Sequence, residues 1–174
     1  MHTSLLFRRS LVLIVIVFSG LAGCSFFPNS ARMDPADENR VMGLLNDQKP
    51  DEALAVANKT VAGAPEDFQT YRTRSTVYLA LRRYDEAQID NVKALQLIET
   101  GKSELPKEKQ PATLAQIHES MALTALIAAR RAPDDARYDR WIKVFQEQAD
   151  VVKKLDPATW THMRDVVESP DAGQ

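Results

Sequence analysis

The sequence contains a single cysteine, Cys24, so the chain cannot form an internal disulfide bond. It has only three histidines, and one of them, His2, lies close to the amino terminus. The other two, His118 and His162, are 44 positions apart. His118 also lacks the second histidine four positions later that a zinc-protease helix needs to place two ligands on one face. We therefore expect no metal site.

Glycine is scarce as well, with six residues scattered along the chain and no glycine-rich loop after a strand pattern. This excludes the loops that cradle phosphate groups in nucleotide-binding folds. Acidic pairs such as Asp85-Glu86 and Asp134-Asp135 precede helical patterns, where carboxylates favour the helix dipole. We expect no catalytic residues and no cofactor, and we do not expect an enzyme.

The first 23 residues form a leader with three parts. Residues 1–10 include Arg8 and Arg9 and no acid, residues 11–18 (LVLIVIVF) are apolar throughout, and residues 19–23 (SGLAG) are mostly small. This order is typical of a secretory signal peptide that is removed from the mature protein. The apolar run is well short of the roughly 20 residues that span a bilayer as a helix.

The segment Leu21-Ala22-Gly23-Cys24 resembles the bacterial lipobox. The resemblance implies that Cys24 receives an S-linked diacylglycerol, that the chain is cut before it, and that the new amino terminus is N-acylated. Three acyl chains exceed the two attachments that stable membrane anchoring requires. Ser25, in place of Asp, implies the outer membrane, with the protein facing the periplasm. The alternatives are an ordinary signal peptide with an incidental cysteine, and a single membrane anchor.

Loss of residues 1–23 removes two arginines and no acid, so 20 basic residues remain against 24 acidic ones, a net charge of about −4. This balance does not indicate the basic surface that nucleic-acid binding requires. We expect an acylated flexible tether over residues 24–37, a helical domain over residues 38–168 and a disordered tail over residues 169–174.

A short motif recurs at a fixed spacing. Asp51-Glu52-Ala53 returns as Asp85-Glu86-Ala87, 34 positions later. This is the period of the tetratricopeptide (TPR) repeat, which has two antiparallel helices per unit. Further positions resemble that family: Pro65 stands at the end of the first unit, and the second unit has the small and aromatic positions Ser75, Tyr78, Tyr84 and Ala94-Leu95.

The resemblance implies an all-α fold, a TPR-like α-solenoid of about three helix-turn-helix units with a C-terminal capping helix. Residues 112–157 are expected to form a third, degenerate unit with a longer turn, since apolar periodicity covers residues 112–130 and 141–155. Asp156 is expected to cap a last helix that begins at Pro157 and runs to about residue 167. Gly63 and Gly101 are expected to close helices in the left-handed conformation, with Pro65 in the next first turn. The alternative is an unrelated all-helical bundle.

In TPR proteins the first helix of each unit lines a concave groove that takes a peptide. The resemblance assigns this groove to seven residues of the first two units: Met42, Leu45, Asn46, Gln69, Arg72, Thr76 and Leu79. The alternative is that they are only the exposed face of these helices.

These features predict a protein-binding adaptor or assembly factor, anchored in the outer membrane and working in the periplasm. The resemblance extends to pilotin-like TPR lipoproteins, whose partners are secretins, pilus subunits or other secretion-system components. The alternative is a scaffold for peptidoglycan synthases and hydrolases. A hydrolase or a wall-binding enzyme would need clustered catalytic residues.

Overall fold

A computed structural model describes residues 32–168, and over this range the chain is all-α. The predicted signal peptide, Cys24 and the predicted tail over residues 169–174 lie outside the described residues. Within them, seven α-helices follow one another, with a single 3-10 turn (Lys107–Lys109) before the fifth. The helices are α1 (Pro35–Asn46), α2 (Pro50–Gly63), α3 (Phe68–Ala80), α4 (Tyr84–Glu99), α5 (Gln110–Arg130), α6 (Asp135–Leu155) and α7 (Pro157–Glu168).

Aspartate side chains fix the starts of several helices. Asp34 accepts a hydrogen bond from the backbone N–H of Ala36 at 2.8 Å, and Pro35 occupies the first turn of α1. Asp156 accepts from the N–H groups of Ala158 and Thr159 at 3.0 and 3.2 Å. The predicted cap at Asp156 and the last helix beginning at Pro157 are therefore confirmed. Each cap satisfies donors that have no partner within the helix.

Two details of the turn between α2 and α3 differ from the prediction. Gly63 is the last residue of α2 and is not left-handed, because Ala64 ends the helix by donating to the carbonyl of Thr60. Pro65 precedes α3 by three positions, since the side chain of Asp67 accepts from the N–H of Gln69 and starts the helix at Phe68. The prediction for Gly101 is confirmed, with a φ of 67° just after α4.

Helix α6 begins six positions earlier than the apolar pattern indicated. Asp134 accepts from the backbone N–H of Arg137 at 2.8 Å and starts the helix at Asp135. The first turns, residues 135–140, are exposed and polar apart from Ala136 and Tyr138, so they carry no apolar period. Trp141, the predicted start, is only the first residue of α6 that packs into the core.

The segment before α1 is also part of the folded domain. Met33 is 9% exposed, its N–H donates to Asp67 Oδ2 at 2.8 Å, and its sulfur accepts from the Thr73 hydroxyl at 3.5 Å. The tether predicted over residues 24–37 therefore overlaps the structured region. Local sequence patterns could not predict this, because the backbone N–H of Met33 is held by Asp67, which lies 34 positions away.

The helices pack in chain order. Each helix contacts the next one, and α1 also contacts α3, as α5 contacts α7. Four hydrophobic clusters follow the same order, each shared by consecutive helices. The small residues Ser75, Ala53 and Ala87 are buried between the helices. Larger side chains there would force the axes apart.

The contacts define two ends of the domain. The first, which we call the Met33 end, gathers the starts of α1 and α3 and the loop before α5, with Arg32, Met33, Glu66, Asp67, Lys102 and Ser103. The other, the Lys49 end, holds the turns at residues 47–49, 81–83 and 131–133. Helix α3 joins the two ends and is about 20 Å long at ~1.5 Å per residue.

Candidate binding groove

A shallow depression lies between α1 and α3. Its six lining residues are Glu38 and Met42 from α1 and Gln69, Arg72, Thr73 and Thr76 from α3, and it is open to solvent. All of them except Thr73 are half-buried, so the side chains form a wall that solvent still reaches. We call these six residues the α1–α3 groove.

Helical spacing explains how the groove is built. Glu38 and Met42 are four positions apart, and so are Arg72 and Thr76, which places each pair on one face of its helix. Glu38 and Arg72 are 34 positions apart, as are Met42 and Thr76. Corresponding faces of α1 and α3 are thus turned toward the same space.

Arg72 is the central cation of the groove. Its guanidinium donates to Gln69 Oε1 at 3.0 Å and to Gln116 Oε1, on α5, at 3.5 Å. Burial lowers the pKa of Arg72, while the carboxylate of Glu38 acts in the opposite direction. The two amide partners of Arg72 hold its planar head in one orientation.

Four of the seven predicted groove residues, Met42, Gln69, Arg72 and Thr76, meet in this depression. The other three lie elsewhere. Leu45 packs against the cluster of Val41, Ala53, Ala57 and Val77, while Asn46 is the exposed last residue of α1. Leu79 is half-buried, three positions beyond Thr76 on α3.

Sequence reasoning missed three residues at the groove. Glu38 is one turn before Met42 and could have been found from helical spacing, since the expected helical domain already began at residue 38. Thr73 lies three positions before Thr76 and could have been found in the same way. No local sequence pattern indicated Gln116, because its contact with Arg72 spans 44 positions and depends on how α5 packs against α3.

The groove offers a mixed hydrogen-bonding surface with one apolar position. The Thr76 hydroxyl donates to the carbonyl of Arg72 at 3.2 Å, which leaves its oxygen able to accept from a ligand. Gln69 presents amide chemistry that matches a peptide backbone, and Met42 is an adaptable apolar contact. This combination suits a segment of protein chain laid across the two helices.

A buried ion pair supports α3 beneath the groove. Arg74 donates twice to Asp90 on α4, with both distances 2.7 Å, and Asp90 is 3% exposed. A third hydrogen bond, 3.1 Å long, runs from Arg74 to Asn58 on α2. The hydrogen bond to Asp90 raises the pKa of Arg74, against the effect of its burial. One guanidinium thus ties three helices together.

A second polar group lies between α5 and α7. Burial raises the pKa of Glu119, a half-buried residue of α5, while nearby His162 acts to lower it and Asp156 to raise it. His118, the preceding residue, is instead hydrogen-bonded through Nδ1 to Gln148 on α6 at 2.7 Å. The two histidines therefore face different helices and do not form a common site.

We expect Glu119→Gln to stabilise the protein at neutral pH. A carboxyl whose pKa is raised by folding takes up a proton more readily in the folded state, so it costs stability as pH rises through that raised pKa. The variant should melt at a higher temperature than wild type at pH 7 and match it at about pH 3, where both states hold the proton. Thermal melts between pH 3 and pH 7 would measure the difference in melting temperature between the variant and wild type. A lower melting temperature for the variant at pH 7 would contradict the prediction.

The described residues contain no cluster of three or more His, Cys, Asp or Glu side chains placed to hold a metal ion. Within residues 32–168, no helix has both the length and the apolar character needed to cross a bilayer. No family model matches the chain, and comparisons with curated proteins and with solved structures also give no match.

Proposed function

We propose that this protein is a periplasmic adaptor, anchored in the outer membrane through acylated Cys24, that binds a partner protein in the α1–α3 groove. One observation carries the proposal: four of the seven residues assigned by the family resemblance, Met42, Gln69, Arg72 and Thr76, line one depression across two helices.

We further propose that the helices form a TPR-like solenoid of three units closed by α7. The chain-order packing, the contacts α1–α3 and α5–α7, and the 34-residue offset between facing groove residues support this architecture. Buried Met163 packs with Ala122 and Ala149, so α7 covers apolar surface of the preceding pair of helices. Terminal repeats need such a cover to remain soluble.

The mechanism needs no catalysis. Acyl chains at Cys24 would set the location, and the groove would capture a segment of the partner, so that the partner is held at the outer membrane. Two attachments on one body raise the local concentration of the partner without adding new contacts between the proteins. The pilotin-like role, with a secretin, a pilus subunit or another secretion component as the partner, rests on the sequence resemblance.

A cross-linking pull-down from cell envelopes tests the proposal. The variant Arg72→Glu places a carboxylate beside Glu38 and removes the charge-assisted hydrogen bonds, each worth about 1.5–3 kcal/mol. We expect it to recover at least about tenfold less partner than wild type. The matched control is Arg40→Glu, which makes the same charge change at an exposed position of α1 outside the groove.

The identity of the recovered protein separates the two functions. A secretin, pilus or secretion component that is lost with Arg72→Glu and kept with Arg40→Glu supports the adaptor. Recovery of several peptidoglycan synthases and hydrolases would favour the wall-enzyme scaffold instead. Equal recovery with both variants would show that the partner uses another face, provided that melting curves show both variants to be folded.

A further inference from the structure

Three buried polar atoms on α4 and α5 have no hydrogen-bond partner among the described residues. They are the phenol oxygen of Tyr84, the amide oxygen Oε1 of Gln88 and the hydroxyl oxygen Oγ1 of Thr124. A buried polar atom that is left unpaired has lost its contact with water and gained nothing in return, so folded proteins pair most such atoms with protein groups or with ordered water. The three atoms therefore call for a shared explanation if they lie together.

Two hydrogen bonds show how α4 and α5 face each other. Gln88 Nε2 donates to the carbonyl oxygen of Met121 at 2.7 Å, and Asn91 Nδ2 donates to the Ser120 hydroxyl at 3.4 Å. Helix α4 begins at the Lys49 end of the domain and α5 finishes there, so the two helices run in opposite directions. A step toward the start of α4 is thus matched by a step toward the end of α5.

This antiparallel arrangement brings Tyr84 and Thr124 to the same level. Tyr84 is four positions before Gln88, and Thr124 is four positions after Ser120, so each lies one turn nearer the Lys49 end on the same face of its helix. Thr124 is fully buried. Tyr84 packs against the cluster that contains Ala125, the residue next to Thr124. The three unpaired atoms therefore lie in one region of the α4–α5 interface.

The chemistry of the three atoms is complementary to a small neutral ligand. A carbonyl oxygen only accepts, so the amide end of Gln88 that faces Met121 is Nε2, and Oε1 remains an acceptor that needs a donor. The hydroxyls of Tyr84 and Thr124 can each donate and accept. None of the three groups is hydrogen-bonded to another, so a bridging group is needed to connect them. An ion does not suit this site, because these groups offer no charge to balance one.

From these observations we infer that α4 and α5 hold a buried water molecule between Tyr84, Gln88 and Thr124. The water donates to Gln88 Oε1 and to one hydroxyl, and it accepts from the other hydroxyl. Internal waters typically make about three hydrogen bonds of this kind to buried polar groups. The water is then part of the joint between the two helices, and removal of any one of its partners leaves the other two less well paired.

A crystal structure of the complete chain, at a resolution that shows ordered water, tests the site directly. We expect one water peak within hydrogen-bonding distance of Tyr84 Oη, Gln88 Oε1 and Thr124 Oγ1. The same crystals of Thr124→Val, which replaces the hydroxyl with a methyl group of similar size, should show a weaker or displaced peak. Direct hydrogen bonds among the three side chains in the wild-type protein, with no water between them, would overturn the inference.

Thermal melts give a second readout. Thr124→Val should lower the melting temperature by about 3 °C or more, because the water and its other two partners lose a hydrogen bond. The matched control is Thr113→Val, the same change at a half-buried position of α5, which should shift the melting temperature by less than about 2 °C. If Thr124→Val melts no lower than this control, the Thr124 hydroxyl holds no water and the inference fails.

A double variant tests whether the water is shared. Tyr84→Phe removes a second partner of the same water, so Tyr84→Phe/Thr124→Val should lose less stability than the sum of the two single variants. Losses that simply add would contradict a common water molecule.

Discussion

Replacement of Asp90 by alanine is expected to lower the free energy of unfolding by about 3–5 kcal/mol. The substitution removes the carboxylate that accepts two hydrogen bonds from Arg74. The Arg74 side chain, which is only 19% exposed, then keeps its charge without a carboxylate partner. The remaining hydrogen bond to Asn58 and the rings of Tyr71 and Tyr78, each within 6 Å of the guanidinium carbon, cannot replace a carboxylate. Urea unfolding followed by far-ultraviolet circular dichroism would measure the loss.

Two further variants isolate the cause. Asp85→Ala makes the same change on the same helix, but Asp85 is exposed, and its ion pair with Arg140 joins two exposed side chains. That variant should lose less than about 1 kcal/mol. The double variant Arg74→Met/Asp90→Leu removes both buried charges, so it should be more stable than Asp90→Ala and recover much of the lost free energy of unfolding. If Asp90→Ala were no more costly than Asp85→Ala, the pair would not hold the three helices together.

Replacement of Cys24 by alanine is expected to abolish recovery of the protein in the outer membrane. Without the thiol there is no site for diacylglycerol, and the eight apolar residues at positions 11–18 offer only a short signal core. The precursor should keep its leader, which intact-mass spectrometry would detect, and it should fractionate away from outer-membrane markers.

A matched control separates anchoring from export. When the leader of the Cys24→Ala variant is exchanged for an ordinary cleavable signal, the protein should appear free in the periplasm. Continued recovery of Cys24→Ala in the outer membrane would contradict a lipid anchor at this residue.

Local patterns predicted much of the helical fold. Apolar periodicity located α5 to within two residues of its start, and Asp156-Pro157 marked the beginning of α7 because capping and proline geometry act within one turn. The same local logic failed at α6, whose first turns are exposed and polar. It also failed at Gly63, where the chain continues through Ala64 without a left-handed residue.

The contacts that complete the groove could not be predicted in this way. Gln116 approaches Arg72 only because α4 and the loop of residues 100–109 return the chain to the side of α3. Met33 meets Asp67 and Thr73 for a similar reason, across 34 and 40 positions. A 34-residue period indicates which helix faces are equivalent in successive units. It does not indicate how the longer loop at residues 100–109 shifts α5 and α6.

Photo-cross-linking in living cells tests the central claim most directly. A benzophenone amino acid at Met42 would lie in the α1–α3 groove, and the same residue at Lys59 would lie on the exposed surface of α2. Irradiation should yield one discrete adduct from position 42, none from position 59, and none from position 42 when Arg72→Glu is also present. An adduct from position 59 alone, or an adduct from position 42 that persists with Arg72→Glu, would contradict capture of a partner by the groove.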